Sequence, residues 1–220
     1  MKKAKKQYVS TDRTLGITNI WQLLRKLYWE MELLQRIPEK YYPQKTDNLF
    51  NFKDARSYAS INVAATNNSI VDWLYHKAQS DPFLQTNIAK ELDNVDFTQL
   101  NKFGSSLRNQ KAELRICHQI CNANKHYKLG DFDPTMKGLP LDLVRVEEDE
   151  TTVIDIMTVH YFHITSPSSL YGETSSRKSS DEVFQELLRW WTWLFLKIDI
   201  PDQQLFFNEL HAWQENMLGS

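Results

Sequence analysis

The residues of this chain best suited to chemistry occur in the segment 115–126, whose sequence is RICHQICNANKH. The segment contains no Gly or Pro and is predicted to be helical. One side of that helix carries two imidazoles, a guanidinium, an amide and an ammonium, from Arg115, His118, Asn122, Lys125 and His126. Imidazoles titrate near neutral pH and fixed cations attract anions, so this side is suited to acid–base chemistry on a phosphate group.

Metal-free cleavage of RNA is the first reaction that this set of side chains would serve. His126 or His118 would take the proton of the 2′-hydroxyl group. Arg115 and Lys125 would hold positive charge against the phosphate, and Asn122 would orient the reacting group. No metal and no cofactor is required for this reaction.

A second row of polar side chains lies on an earlier helix, predicted over residues 54–79. Asp72 and His76 are four positions apart in this row and therefore face the same side. If the two helices pack together, their polar edges form a crevice in which Asp72 and His76 support the segment 115–126. In an alternative, Asp72 and His76 bind a metal ion together with His118 or His126, because three protein ligands plus water form a hydrolytic centre.

A third interpretation of the same residues is purely structural. Asp72 would accept hydrogen bonds from Arg115, Lys125 or His126 and fix the register of two packed helices. Nothing would be catalysed, and the protein would act by binding a partner.

Residues 121–126, CNANKH, resemble the signature of the HEPN ribonucleases, which are helical-bundle proteins of bacterial toxin and antiphage defence systems. That signature is an arginine followed by a polar residue such as Asn, with a histidine a few residues later. Asn122 and His126 match it, whereas Cys121 occupies the position of the arginine. The resemblance implies a helical bundle, an endoribonuclease activity and a homodimer in which two copies of the motif meet. It is equally compatible with an inactive member retained for binding.

Length and composition are compatible with one domain over residues 1–220. The formal net charge is −2, so RNA would have to bind in a local basic cleft. Cys117 and Cys121 are one helical turn apart, which is poor geometry for a disulfide, so we predict a reduced, cytoplasmic protein in which both pack in the core. No apolar stretch is long enough to span a membrane.

The elements predicted around these residues define a mainly α fold, an irregular bundle of four to five helices with one β-hairpin inserted at about 139–165. Thr18 or Asn19 is expected to cap a first helix, and Asp54 to cap the second. Further helices are predicted as two short ones within 83–108, then over 110–128, 180–197 and 201–217. Residues 1–15 are predicted to be a flexible basic tail, and residues 166–180 a flexible Ser-rich connection.

Three tryptophans occur within the apolar helix predicted over 180–197. Trp190, Trp191 and Trp193 lie on three sides of that helix, so at least one points away from the main core. Exposed tryptophans frequently anchor protein interfaces, and we predict a partner surface here. The alternative is that the hairpin covers the exposed ring.

Overall fold

The computed structural model describes residues 17–37, 40–41, 52–125, 136–146, 153–166, 174–200 and 208, with side chains for 17–37, 55–122, 179–200 and 208. This part of the chain is mainly helical, as predicted. Its six helices are α1 (Ile20–Arg36), α2 (Phe52–Ser80), α3 (Pro82–Glu91), α4 (Leu100–Gln110), α5 (Ala112–Lys125) and α6 (Ser180–Lys197). None of the helices in these ranges is long and apolar enough to cross a bilayer.

Helix α1 begins at a capping box. The side chain of Asn19 accepts the backbone N–H of Gln22 at 2.9 Å, and the side chain of Gln22 accepts the backbone N–H of Asn19 at 3.1 Å. Asn19 is therefore the N-cap, which confirms one of the two predicted caps. The buried face of α1 consists of Ile20, Trp21, Leu23, Leu24, Leu27, Met31 and Leu34.

Helix α2 is the central element of the bundle, because it packs against α1, α3, α4, α5 and α6. It spans 29 residues and begins at Phe52, so the prediction that Asp54 caps it was wrong. Aspartate is favoured in the first turn of a helix as well as at the N-cap, and its presence alone therefore does not mark the first residue.

The short helices α3 and α4 follow as predicted. Asp81 caps α3 by accepting the backbone N–H groups of Phe83 and Leu84, at 3.0 and 3.1 Å. Helices α4 and α5 are separated by Lys111 alone. Because this connection is so short, α4 lies next to α5 while both contact α2.

Two buried polar contacts hold α6 against α2. The indole N–H of Trp191 donates to the amide oxygen of Asn67 at 2.8 Å, and both residues have no solvent exposure. The guanidinium of Arg56 lies 2.5 Å from a carboxylate oxygen of Asp181 in the first turn of α6. The same guanidinium donates to the backbone oxygen of Ile37 at 3.1 Å, and so satisfies a carbonyl at the end of α1.

Four strands complete the described elements: β1 (Lys40–Tyr41), β2 (Met136–Val146), β3 (Val153–Ser166) and β4 (Thr174–Ser179). Strand β3 pairs antiparallel with each of the other three. Residues 147–152, which would form the turn between β2 and β3, lie outside the described residues, so the inserted hairpin stays a prediction.

Several other predicted segments also fall outside the described residues. They are the basic tail at 1–15, residues 167–173 of the Ser-rich connection and, apart from residue 208, the helix predicted over 201–217.

Candidate functional site

A cleft of about 560 Å³ opens between α2, α4 and α5. It brings together an imidazole, a carboxylate, a guanidinium and two amides. The residues that line it are Asn68, Val71 and Asp72 from α2, Leu100, Asn101, Gly104 and Arg108 from α4, and His118 from α5. Asp72 and His118, which belong to the two polar rows seen in the sequence, therefore border the same space.

Glycine at position 104 sets the position of the guanidinium in this cleft. Gly104 is buried where α4 packs on α2. A Cβ atom added to it would lie 2.9 Å from Nη1 of Arg108 and 3.5 Å from Cγ1 of Val71. The first distance is shorter than an ordinary contact, so the guanidinium lies over the glycine backbone in space that a side chain would fill.

The guanidinium of Arg108 lines this cleft, and a second arginine, Arg115, carries its charge nearby on α5. Burial lowers the pKa of Arg108, and the nearby charge of Arg115 lowers it further. Within the part of the chain that the structure describes, neither group forms a hydrogen bond or an ion pair. No described carboxylate is therefore in ion-pair contact with either arginine, although Asp72 lines the same cleft as Arg108.

His118 is oriented from its own helix. Nδ2 of Asn122 lies 3.1 Å from Nε2 of His118, one turn away on α5. An amide nitrogen donates and cannot accept, so Nε2 of the neutral imidazole accepts this hydrogen bond and Nδ1 carries the ring proton. The predicted pair of imidazole and amide is thus assembled.

The remaining predicted residues are placed as follows. Arg115 is half-exposed on α5, one turn before His118. Lys125 is the last residue of α5, but its side chain lies outside the described part, as does the whole of His126. Their roles stay predictions.

The alternative metal site with His118 as its third ligand is not assembled, and the one with His126 stays a prediction because that residue lies outside the described ones. Among the residues with described side chains, no group of three His, Cys, Asp or Glu residues could hold a metal ion. His76 lies 3.6 Å from Asp72 but is exposed and does not line the cleft, where His118 lies. One turn of helix carries His76 about 6 Å further along α2, which separates it from the intended third ligand.

The purely structural interpretation predicted a hydrogen bond to Asp72 from Arg115, Lys125 or His126, and the bond from Arg115 is not found among the described side chains. Asp72 contacts His76 and forms no hydrogen bond with Arg115 in the described part of the chain. The contacts of Asp72 with Lys125 or His126 fall outside the described side chains.

Both cysteines are buried and free, as the sequence predicted. Burial raises the pKa of the Cys117 thiol well above its usual range, and the neighbouring Cys121 and Glu113 raise it further. Cys121, which stands at the arginine position of the HEPN-like segment, is 7% exposed and belongs to the core. An arginine there would point into the core and away from the cleft.

The predicted tryptophan surface needs a correction. Trp191 has no exposure and donates to Asn67, so it belongs to the core and cannot contact a partner. Trp190 is half-buried, while Trp193 is 41% exposed. Which of three neighbouring rings faces inward depends on where α2 lies, and the helical period alone does not contain that information.

Sequence reasoning found only Asp72 and His118 among the eight residues that line the cleft, and the six that it missed include Gly104 and Arg108. A signal for them was present, because a glycine inside a helix four positions before an arginine leaves room for the arginine to fold back along the helix. The sequence of α4 alone could not show that the face with Gly104 and Arg108 borders a cleft.

The HEPN-like segment is only partly visible in side-chain detail, through Cys121 and Asn122. The resemblance therefore stays a prediction. Comparison of the chain with known protein families, with curated proteins and with solved structures finds no match.

Proposed function

We propose that the protein is an HEPN-like, RNA-binding protein that cleaves RNA without a metal ion, in the cytoplasm, as part of a bacterial toxin or antiphage defence system. The observation that carries this proposal is the pairing of His118 with Asn122 beside a cleft that His118 and Arg108 both line. An RNA phosphate would supply negative charge to the guanidinium of Arg108.

The side chains are given roles that match their chemistry. A base takes the 2′-hydroxyl proton and the 2′-oxygen forms a bond to phosphorus. The bond between phosphorus and the 5′-oxygen breaks, and the 5′-oxygen takes a proton from water, which yields a cyclic phosphate and a 5′-hydroxyl end. His126 is the base. For His118 to take this role, Asn122 must release Nε2, because its hydrogen bond occupies the lone pair of that nitrogen while Nδ1 carries the ring proton. Arg115 and Lys125 stabilise the charge on the phosphate.

A homodimer follows from the same resemblance, because the motifs of two copies would meet in one site. The inserted hairpin, if it forms over 139–165, adds a further surface beside the helical body. Neither feature is needed for the cleft itself.

The second candidate function is a catalytically silent interaction protein. It is favoured by Trp193 and Leu196, which are 41% and 44% exposed on neighbouring turns of α6. Large apolar side chains that share an exposed face are typical of partner surfaces. In this candidate, Cys121 at the arginine position reflects the loss of catalysis.

A cleavage assay on a fluorescent RNA separates these functions. The protein should cut RNA in the presence of EDTA and leave cyclic phosphate ends. Replacing His126 or His118 by alanine should lower the rate by about 10²–10⁴-fold, as expected for loss of a general base, without changing the circular dichroism spectrum. Arg189→Gln, which alters an exposed arginine on α6, is the control and should leave the rate unchanged.

Three results would contradict the proposal in different ways. Cleavage that EDTA abolishes would require a metal ion. Binding without cleavage would favour the silent protein, with RNA as its ligand. If RNA is neither bound nor cut, the interaction function remains, and its surface would be tested with Trp193→Ser.

A further inference from the structure

The cleft between α2, α4 and α5 is lined by one carboxylate and one guanidinium that do not pair with each other. Asp72 of α2 and Arg108 of α4 both line it, and in the described part of the chain they form no ion pair. The nearest partner of Asp72 is Nε2 of His76 at 3.6 Å, which is too far for a hydrogen bond. With His118 neutral, the lining has no net charge, so it suits a neutral ligand with acceptors at one edge and donors at another.

The guanidinium and the carboxylate come from facing walls of the cleft. A Cβ atom added to Gly104 would lie 2.9 Å from Nη1 of Arg108 and 3.5 Å from Cγ1 of Val71, the residue before Asp72. The end of Arg108 and this part of α2 therefore border the same point in space. The cleft of about 560 Å³ has the size of a small-molecule site, for which about 300–1,000 Å³ is typical.

The other lining residues suit a flat ring with polar edges. Val71 and Leu100 provide apolar atoms for the faces of the ring, and Asn68 and Asn101 provide amides. Asn68 is half-buried and forms no hydrogen bond in the described part of the chain. Oδ1 of Asn101 accepts the backbone N–H of Lys102 at 2.9 Å, so its amide nitrogen is the group that can serve a ligand.

We propose that this cleft binds the guanine base of a single-stranded RNA, with Asp72 at one edge of the base and Arg108 at the other. N1–H and the 2-amino group of guanine are neighbouring donors, which match the two oxygens of a carboxylate. O6 and N7 are neighbouring acceptors, which arginine contacts with two hydrogen bonds. Adenine, cytosine and uracil each lack the pair of neighbouring donors. In a single strand, both edges of a base are open to a protein.

This proposal rests on the proposed function, since the guanine belongs to the RNA that would be cleaved, and it names the base that the cleft selects. Arg108 has five N–H donors, of which O6 and N7 take two, so further donors remain for an RNA phosphate. Cuts should therefore fall next to guanosine.

Titration calorimetry with nucleoside 5′-monophosphates isolates the contribution of the base, because the sugar and phosphate are the same in each ligand. Guanosine monophosphate should bind more tightly than the adenosine, cytidine and uridine compounds by about 5- to 150-fold, as for one good bidentate contact. Inosine monophosphate differs from guanosine monophosphate only in lacking the 2-amino group. It should bind about tenfold or more weakly, as for loss of a hydrogen bond to a charged group.

Two substitutions of Asp72 separate hydrogen bonding from charge. Asp72→Asn presents an N–H donor to position 2 of the base, so it should favour xanthosine monophosphate, which has an oxygen there, over guanosine monophosphate. Asp72→Ala removes the same charge but supplies no donor. It should weaken guanosine monophosphate by about tenfold or more without creating a preference for xanthosine monophosphate.

Two further substitutions test the position of the guanidinium without changing the charge of the cleft. Arg108→Lys keeps the positive charge but loses the planar pair of donors. Gly104→Ala displaces the guanidinium, because the added Cβ would lie 2.9 Å from Nη1. Each should reduce the preference for guanosine over adenosine monophosphate. Arg189→Gln on α6 is the matched control and should leave that preference unchanged, and thermal unfolding checks that each variant is folded.

The guanine site is refuted if guanosine monophosphate binds no more tightly than adenosine monophosphate, or if the preference survives in Asp72→Ala. This refutation is separable from failure of the proposed function. A guanine preference that depends on Asp72, in a protein that does not cut RNA, keeps the site and removes the nuclease. RNA cleavage with cuts that are indifferent to guanosine does the reverse.

Discussion

Replacing Arg56 by methionine should lower the free energy of unfolding more than the removal of any exposed charge. The reason is that the guanidinium of Arg56 connects three helices. Arg56 on α2 is 2% exposed, contacts Asp181 of α6 at 2.5 Å and donates to the carbonyl of Ile37 after α1. Removing it leaves the largely buried carboxylate of Asp181 without its cation. Breaking a buried pair in this way costs about 3–5 kcal/mol.

The assay is urea unfolding followed by circular dichroism, with thermal unfolding as a second measure. At about 2–4 °C per kcal/mol for a chain of this size, the predicted loss lowers Tm by roughly 6–20 °C. Lys102→Gln is the control, because the Lys102–Asp96 pair has a separation of 3.8 Å and side chains 52% and 39% exposed. An exposed pair of this kind contributes less than about 1 kcal/mol.

A loss for Arg56→Met no larger than that for Lys102→Gln would refute this account of how α2 is held. The cleft offers an internal check. Asp72 lies 16 positions after Arg56 on α2, which is about 24 Å along the helix axis. The folded fraction of Arg56→Met should therefore cleave RNA at the unaltered rate, and a change there would mean that the two ends of α2 are coupled.

Two further changes probe the core and the surface. Trp191→Phe should destabilise the protein by about 1–3 kcal/mol through loss of the 2.8 Å bond to buried Asn67, and in a double-mutant cycle with Asn67→Leu the two losses should not add. Hydrogen bonds from the hydroxyl and the backbone N–H of Thr98 hold the pKa of Asp96 below its usual value, so Thr98→Ala should raise that pKa in an NMR titration. Because the lowered pKa adds stability above the unfolded-state pKa and loses it as pH falls through the native one, Thr98→Ala should lose less stability on acidification than the unaltered protein; an equal loss would contradict this assignment.

Local sequence signals anticipated the features that depend on neighbours along the chain. Asn19 three residues before Gln22 makes a capping box, and the sequence correctly put Cys117 and Cys121 in the core. Periodicity defines a face but not what covers it. For that reason Trp191 could not be distinguished from Trp193 as the buried ring.

The prediction of the cleft from the sequence was limited in the same way. The two polar rows indicated that α2 and α5 share a crevice, and Asp72 and His118 do line one. Helix α4 forms its third wall, and no feature of residues 100–110 requires that position. Arg108 became visible as a cleft residue only through its contact with Gly104 and its proximity to Arg115.

The strongest reason to regard this cleft as a functional site is a difference between its arginine and other poorly solvated cations in the described part of the chain. Those cations contact a carboxylate, whereas Arg108 does not. Arg56 and Lys111 have side chains 3% and 16% exposed, and each contacts a carboxylate within 2.6 Å. Such pairing is the ordinary way to tolerate a poorly solvated charge. Arg108 is half-buried, lines the cleft and has no carboxylate bonded to it in the described part of the chain. Departures from local electrostatic rules concentrate at functional sites, so the unpaired guanidinium favours the interpretation of this cleft as a binding site.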